Sequence, residues 1–220
     1  MAFAKGRSEC KAERDLVVQG FIEQLHILED VQNEQESDCK SRLKGIITDP
    51  SIDYDEGNSL RVHLDDYLQE LVDLNIRIRR SIFIGLYSFW EVSLMNIAYT
   101  FYPYVNEYIQ NRSSKKPYRL CIYDYLRMVY KDVIPAEATM INHSIRELRN
   151  YMVHGSLDDE RKNRINDLIS SHPEFHIVNC GGTDYFINSY KGLEAFVKLF
   201  ADELDNAENA ILSNNNELIL

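Results

Sequence analysis

The sequence predicts a mainly α protein, an antiparallel helical bundle with one small β-hairpin late in the chain. Three observations predict it. Apolar residues recur at helical spacing through most of the length. Strand-like alternation is confined to "EFHIVN" and "DYFIN", which flank "CGGT". Breakers are few, with 9 Gly and 5 Pro in 220 residues. No internal repeat or low-complexity tract is present. The chain reads as a single domain over 1–220, its core at about 60–154. The hairpin (about 174–188) and the last helix (about 189–213) are expected at the periphery.

The first helix is expected from about Lys11 to Val31, where Val17, Phe21, Leu25 and Leu28 mark an apolar face. The polar run "QNEQESDCKSR" and the turn-rich "TDPSIDYDEGNS" then read as a break, with Asn58 or Ser59 as the next N-cap. Leu60, Leu64, Leu68, Leu71, Ile78 and Ile82 continue without a breaker into "SIFIGLYSFWEVSLMNIAYTFY", which stops near Pro103. This is one very long helix, or two with a bend near Gly85. "QNRSSKKP" reads as a basic loop, followed by a short helix of Leu120, Tyr123, Leu126 and Val129. Pro135 opens a helix that ends at His154, with Gly155 at C′. "LDDERKNRINDLIS" is a short charged helix, and after the hairpin "YKGLEAFVKLFADELDNAENAIL" is amphipathic.

Composition narrows the class. The hydrophobic share is 45%, the charged share 27%, and 14 Tyr with 9 Phe supply packing surface. A formal net charge of −11 argues against nonspecific coating of nucleic acid, though not against a small local basic site. Cys10, Cys39, Cys121 and Cys180 lie at no metal-ligand spacing, so no zinc site, metal or other cofactor is expected, and a disulfide framework is not expected either. "MAFAKGRSECK" lacks an apolar run of signal length. Glu91 and Asn96 interrupt the long apolar segment, which suits a buried bundle helix rather than a membrane span. The expectation is a reduced, soluble, cytoplasmic protein without a membrane anchor.

"RELRNYMVHG", Arg146 to Gly155, carries the chemistry. At about 100° per residue, Ile141, Ile145, Leu148 and Met152 share the core face, and His143, Glu147, Asn150 and His154 the opposite one. Arg146 flanks the polar face. Arg149 lies about 140° from His154 on an ideal helix, so a distorted helix end or a second subunit would have to join them. Imidazole, with an ordinary pKa of about 6.5, exchanges protons at neutral pH. Guanidinium holds phosphate oxygens through a planar fork, and Asn adds neutral hydrogen bonds. Such a set suits metal-free RNA transesterification. A base takes the 2′-hydroxyl proton, Arg stabilises the phosphorane and an acid protonates the leaving 5′-oxygen.

"RNYMVHG" and the upstream "YSFWEVSLMNIAY" resemble HEPN domains, whose R-x4-6-H signature at a helix end has Arg followed by Asn in its common form. The resemblance covers Leu60 to His154. It implies a helical bundle that dimerises around the motif, and a metal-independent endoribonuclease of toxin–antitoxin, phage-defence or RNA-processing systems. It makes Arg149 and His154 the catalytic pair and Asn150 their supporting group. Ser156 stands where HEPN toxins with a nucleotidyltransferase antitoxin carry a modified Tyr, which argues against that mode of control. The competing reading is a non-catalytic HEPN module that dimerises or docks on a partner.

Lesser candidates have plainer alternatives. Glu91 is expected to pair with Arg149 or Arg146, either to orient the catalytic Arg or as a structural ion pair. Tyr87 and Trp90 read as core. His143 shares the polar face but is as readily a surface histidine. Arg77, Arg79 and Arg80, then Arg112, Lys115, Lys116 and Arg119, then Arg161, Lys162 and Arg164 are the local basic runs. Such runs are usually solvated faces; in an RNase, Lys115, Lys116, Arg161, Lys162 and Arg164 would track RNA phosphates. The hairpin carries no chemical group of note.

Overall fold

The computed structural model describes residues 2–49, 51–99, 136–182 and 184–217. It is mainly helical with one late two-stranded hairpin, as the sequence predicts. The order is α1 (Ala2–Thr48), α2 (Tyr54–Tyr99), α3 (Ala136–His154), α4 (Asp159–Ser171), a 3-10 turn (Pro173–Phe175), β1 (Ile177–Cys180), β2 (Asp184–Ile187) and α5 (Tyr190–Glu217). Pro103, the basic loop with Lys115 and Lys116, the short helix from Leu120 to Val129 and Pro135 all lie outside the described residues.

The first helix does not end near Val31. It runs on to Thr48 because the polar stretch still supports a helix. Gln32 bonds Glu36 at 3.0 Å, Lys40 bonds Glu36 at 3.2 Å and Arg42 bridges Asp38 at 2.9 Å, all one turn apart. Gln32, Glu36, Cys39, Leu43 and Ile46 keep the seam spacing of three and four, with Cys39 fully inside and its thiol donating to the Leu64 carbonyl. The loop therefore shrinks to a tight turn, in which Asp49 accepts from the Ser51 amide and hydroxyl at 2.9 and 2.6 Å. α2 begins at Tyr54, so Asn58 and Ser59 sit inside it rather than at its cap. Asp55 and Glu56 in the first turn favour that start. α2 passes through Gly85 as one helix and lies antiparallel to α1.

The core forms where α2, α3, α4 and α5 meet the hairpin. Phe83, Ile145, Leu148, Ile165, Leu193 and Phe196 are fully enclosed. Phe175 stacks on Phe196 with centroids 4.2 Å apart, and Trp90 on Phe200 at 5.1 Å. Tyr87 and Trp90 are core residues, as expected. The apolar segment of α2 turns Phe83, Leu86, Tyr87, Trp90 and Leu94 into this core. No helix among the described residues is long and apolar enough to cross a membrane.

The placement of the core corrects one expectation. The hairpin and α5 are not peripheral: Ile177, Tyr185, Ile187, Leu193, Phe196, Phe200 and Leu204 are among its buried members. The N-terminal half of α5 touches the 3-10 turn so closely that a Cβ on Gly192 would stand 2.3 Å from the Phe175 carbonyl oxygen. Only glycine permits that approach. In the hairpin Ile177 pairs with Ile187 and Cys180 with Asp184, across Gly181 and Gly182 at φ +64° and +77°.

Candidate functional site

α3 has the face that its spacing predicts. Ile145, Leu148 and Met152 are fully buried and Ile141 partly so, while His143 and His154 are exposed and Asn150 is half-buried. The helix ends at His154 because Gly155 takes φ +73° and its amide closes on the Tyr151 carbonyl at 2.7 Å. A second device fixes the same end. Arg80, on α2, donates through Nε to the Met152 carbonyl, a group left without an intrahelical partner.

Two polar groups of the motif meet. Arg149 donates through Nη1 to Asn150 Oδ1 at 3.2 Å, and its guanidinium lies over the Tyr87 ring at 5.9 Å from the centroid. Its Nε is buried without a hydrogen bond. His154 is turned to solvent and makes no hydrogen bond or ion pair among the described residues. Arg149 and His154 are not brought into contact within one chain, in keeping with their angular separation on the helix.

Glu147 departs from the sequence reading. It was expected on the polar face, yet it is 2% exposed. α4 folds back along α3 and covers it. Arg146 approaches Glu147 Oε1 at 3.6 Å and Arg161 approaches Oε2 at 3.6 Å, so the carboxylate is flanked by two guanidiniums. Of the two arginines considered as partners of Glu91, Arg146 meets Glu147, and Arg149 meets Asn150 and the Tyr87 ring. Glu91 itself is half-buried on α2.

The basic run on α4 is locally balanced. Arg161 also bridges Asp158 at 3.3 Å, Lys162 bridges Asp159 at 3.2 Å, and Arg164 pairs with Glu160. Exposed pairs one turn apart hold weakly and can be traded for another anion. In the first basic run Arg79 is structural. It is buried, donates to the Ile187 carbonyl at 2.8 Å and to Gln32 at 3.1 Å, and lies over the Tyr190 ring.

Three features escape the sequence. Tyr151, inside the motif, donates its hydroxyl to Asp184 of the hairpin at 2.7 Å and packs edge-on against Tyr185. Burial and the Asp184 charge hold the Tyr151 phenol above its ordinary range. The hairpin therefore carries one relevant group after all. Arg80 caps α3, which "RIRR" alone cannot distinguish from its neighbours. Glu203 accepts from Asn142 Nδ2 at 2.7 Å between α5 and α3. Burial pushes its carboxyl up to about 7, while the hydrogen bond from Asn142 and the neighbouring Trp90 indole pull the other way. A sequence signal existed: Glu203 continues the Phe196–Phe200 stripe of α5.

No protein-family model, curated protein or solved structure matches the chain.

Proposed function

We propose that the chain is a metal-independent endoribonuclease of the HEPN type, acting as a homodimer in a toxin or phage-defence role. One observation carries the reading: Arg149 and Asn150 are joined at the end of α3, one turn before a solvent-facing His154 at a glycine-stopped terminus. These are the groups that RNA transesterification needs. The 2′-oxygen attacks phosphorus as its proton passes to a base, the P–O5′ bond breaks, and the departing oxygen takes a proton from an acid. The products are a 2′,3′-cyclic phosphate and a 5′-hydroxyl. Arg149 stabilises charge on the phosphorane, and Asn150 holds the guanidinium. Because Arg149 lies away from His154 on its own helix, a two-fold axis beside α3 supplies the pairing, each chain's Arg149 serving the other's His154.

The α4 ion pairs support a second reading, a non-catalytic module that dimerises or binds a partner, since Arg161, Lys162 and Arg164 already have acidic partners. Incubation with total cellular RNA in EDTA separates the two. The nuclease reading expects cutting by the wild type, with His154→Ala and Arg149→Ala each lowering the rate at least about a hundredfold at unchanged helicity. Full activity in both variants would overturn it, and no cutting by any form favours the module.

A further inference from the structure

RNA transesterification moves two protons, one off the 2′-hydroxyl and one onto the leaving 5′-oxygen. The attacking and leaving oxygens stand roughly in line on opposite sides of phosphorus. One imidazole cannot serve both at once. His154 therefore needs a companion that carries a proton at neutral pH and stands near it without touching it. A guanidinium keeps its protons, which sets Arg80 and Arg149 aside, and the Asn150 amide only hydrogen-bonds. The Ser156 hydroxyl is no stronger an acid than the alcohol it would protonate. A phenol, with an ordinary pKa of about 10, holds its proton at neutral pH and is a far better acid than an alcohol.

Tyr151 supplies that phenol. It precedes His154 by three residues, where the helix is still regular, since the Gly155 amide closes on the Tyr151 carbonyl. Residues so spaced are neighbours on a helix surface, about 60° apart around it and about 4.5 Å along it. His154 is exposed, and the bond from the Tyr151 hydroxyl to Asp184, 2.7 Å long, is itself open to solvent. The ring is held edge-on to Tyr185, with centroids 5.3 Å apart, and Tyr185 is buried in the core. The packed interior thus fixes where the phenol stands, while its hydroxyl stays within reach of a ligand.

We propose that Tyr151 is the general acid of the reaction, protonating the leaving 5′-oxygen while His154 of the same chain takes the 2′-hydroxyl proton. The inference rests on the nuclease reading and assigns a role that reading leaves open. In the free chain Asp184 accepts from the phenol; with RNA bound, the leaving oxygen takes its place as acceptor. The 2′-oxygen bonds to phosphorus and the P–O5′ bond breaks. Its electron pair stays on O5′, which takes the phenolic proton. The imidazolium then returns a proton to the phenolate through water, and both groups are restored. Burial and the Asp184 charge keep the proton on the phenol between turnovers. The Arg80 charge and the Tyr185 backbone act the other way and favour the phenolate that transfer leaves.

The test uses the full chain in EDTA on a short RNA that it cuts, made in two forms, natural and with sulfur replacing the leaving 5′-oxygen. A thiolate leaves as the anion, thiol pKa values being about 8.5 against far higher ones for alcohols, and needs no acid. Tyr151→Phe loses only the hydroxyl. It should cut the natural RNA about a hundredfold or more slowly, and the sulfur RNA within about threefold of wild type. His154→Ala should be slow on both, because the leaving atom does not change removal of the 2′-hydroxyl proton. Asp184→Ala breaks the same tie to the hairpin but keeps the phenol, so its loss on natural RNA should be at least about tenfold smaller than that of Tyr151→Phe. Wild-type cutting of natural RNA by Tyr151→Phe, or an equal loss on both RNAs, would overturn this assignment alone. Equal losses in the Tyr151 and Asp184 variants would do the same, reducing Tyr151 to a fastening between hairpin and helix. A wild-type chain that cuts no RNA removes the nuclease reading, and this assignment with it.

Discussion

At the residue scale the group with the clearest energetic signature is Glu203. Its carboxyl titrates near 7 in the folded chain, against an ordinary value of about 4.5. The folded state therefore binds this proton more tightly than the unfolded state does. The resulting stability is fully present below about pH 4.5, falls as pH rises, and is lost above about pH 7. The difference amounts to about 3 kcal/mol at roughly 1.4 kcal/mol per pKa unit. Glu203→Gln keeps an acceptor for Asn142 and removes the ionisation. Urea midpoints between pH 5 and 8 should decline for the wild type and flatten in the variant; parallel profiles would refute the assignment.

Some residue placements were open to sequence reasoning and others were not. The buried set Ile145, Leu148 and Met152 and the stop at Gly155 follow from periodicity within α3 and from the left-handed freedom of glycine. Glu147 could not be placed this way. Its position on the wheel is polar, and only the return of α4 buries it between Arg146 and Arg161. The Arg149–His154 separation was legible, because it depends on helix geometry alone.

At the element scale the firmest constraint is the contact of α5 with the 3-10 turn. Gly192→Ala places a methyl 2.3 Å from a backbone oxygen that cannot swing away like a flexible side chain. The expected loss is about 3 kcal/mol or more in chemical denaturation, against about 1 kcal/mol for glycine-to-alanine at Gly155, where the cost is the left-handed backbone alone. A milder loss at Gly192 than at Gly155 would show that α5 can slide. Element boundaries also mark where sequence signals fail. The end of α1 was hidden because "QNEQESDCKSR" looks like a loop by polarity, yet its side chains bridge at one-turn spacing. The start of α2 was missed because Asp53, as good a cap as Asn58 or Ser59, lies inside a run of turn formers that reads as loop, and its carbonyl takes the first helical bond, from Gly57.

At the scale of the whole molecule, the proposed nuclease makes a prediction that single variants cannot. When His154→Ala and Arg149→Ala chains are unfolded together, refolded and assayed, half of the dimers are mixed. Each mixed dimer holds one site with both groups intact. Activity should return to about a quarter of wild type from two inactive parents. No return would place both groups in one chain's site or remove the dimer from the mechanism. The overall architecture was legible because helices, hairpin and order all have local signals. The central position of α5 was not, since sequence distance from the motif says nothing about packing against it.

The stack of Trp90 on Phe200 has one more consequence. Trp90 is the only tryptophan in the chain, and the carboxyl that bonds Asn142 lies beside its indole. The intrinsic emission of the intact protein is thus a single-site reporter at the junction of α2, α3 and α5. Ionisation of Glu203 should register as a change in emission centred near neutral pH, absent in the Gln variant, with no label and no denaturant.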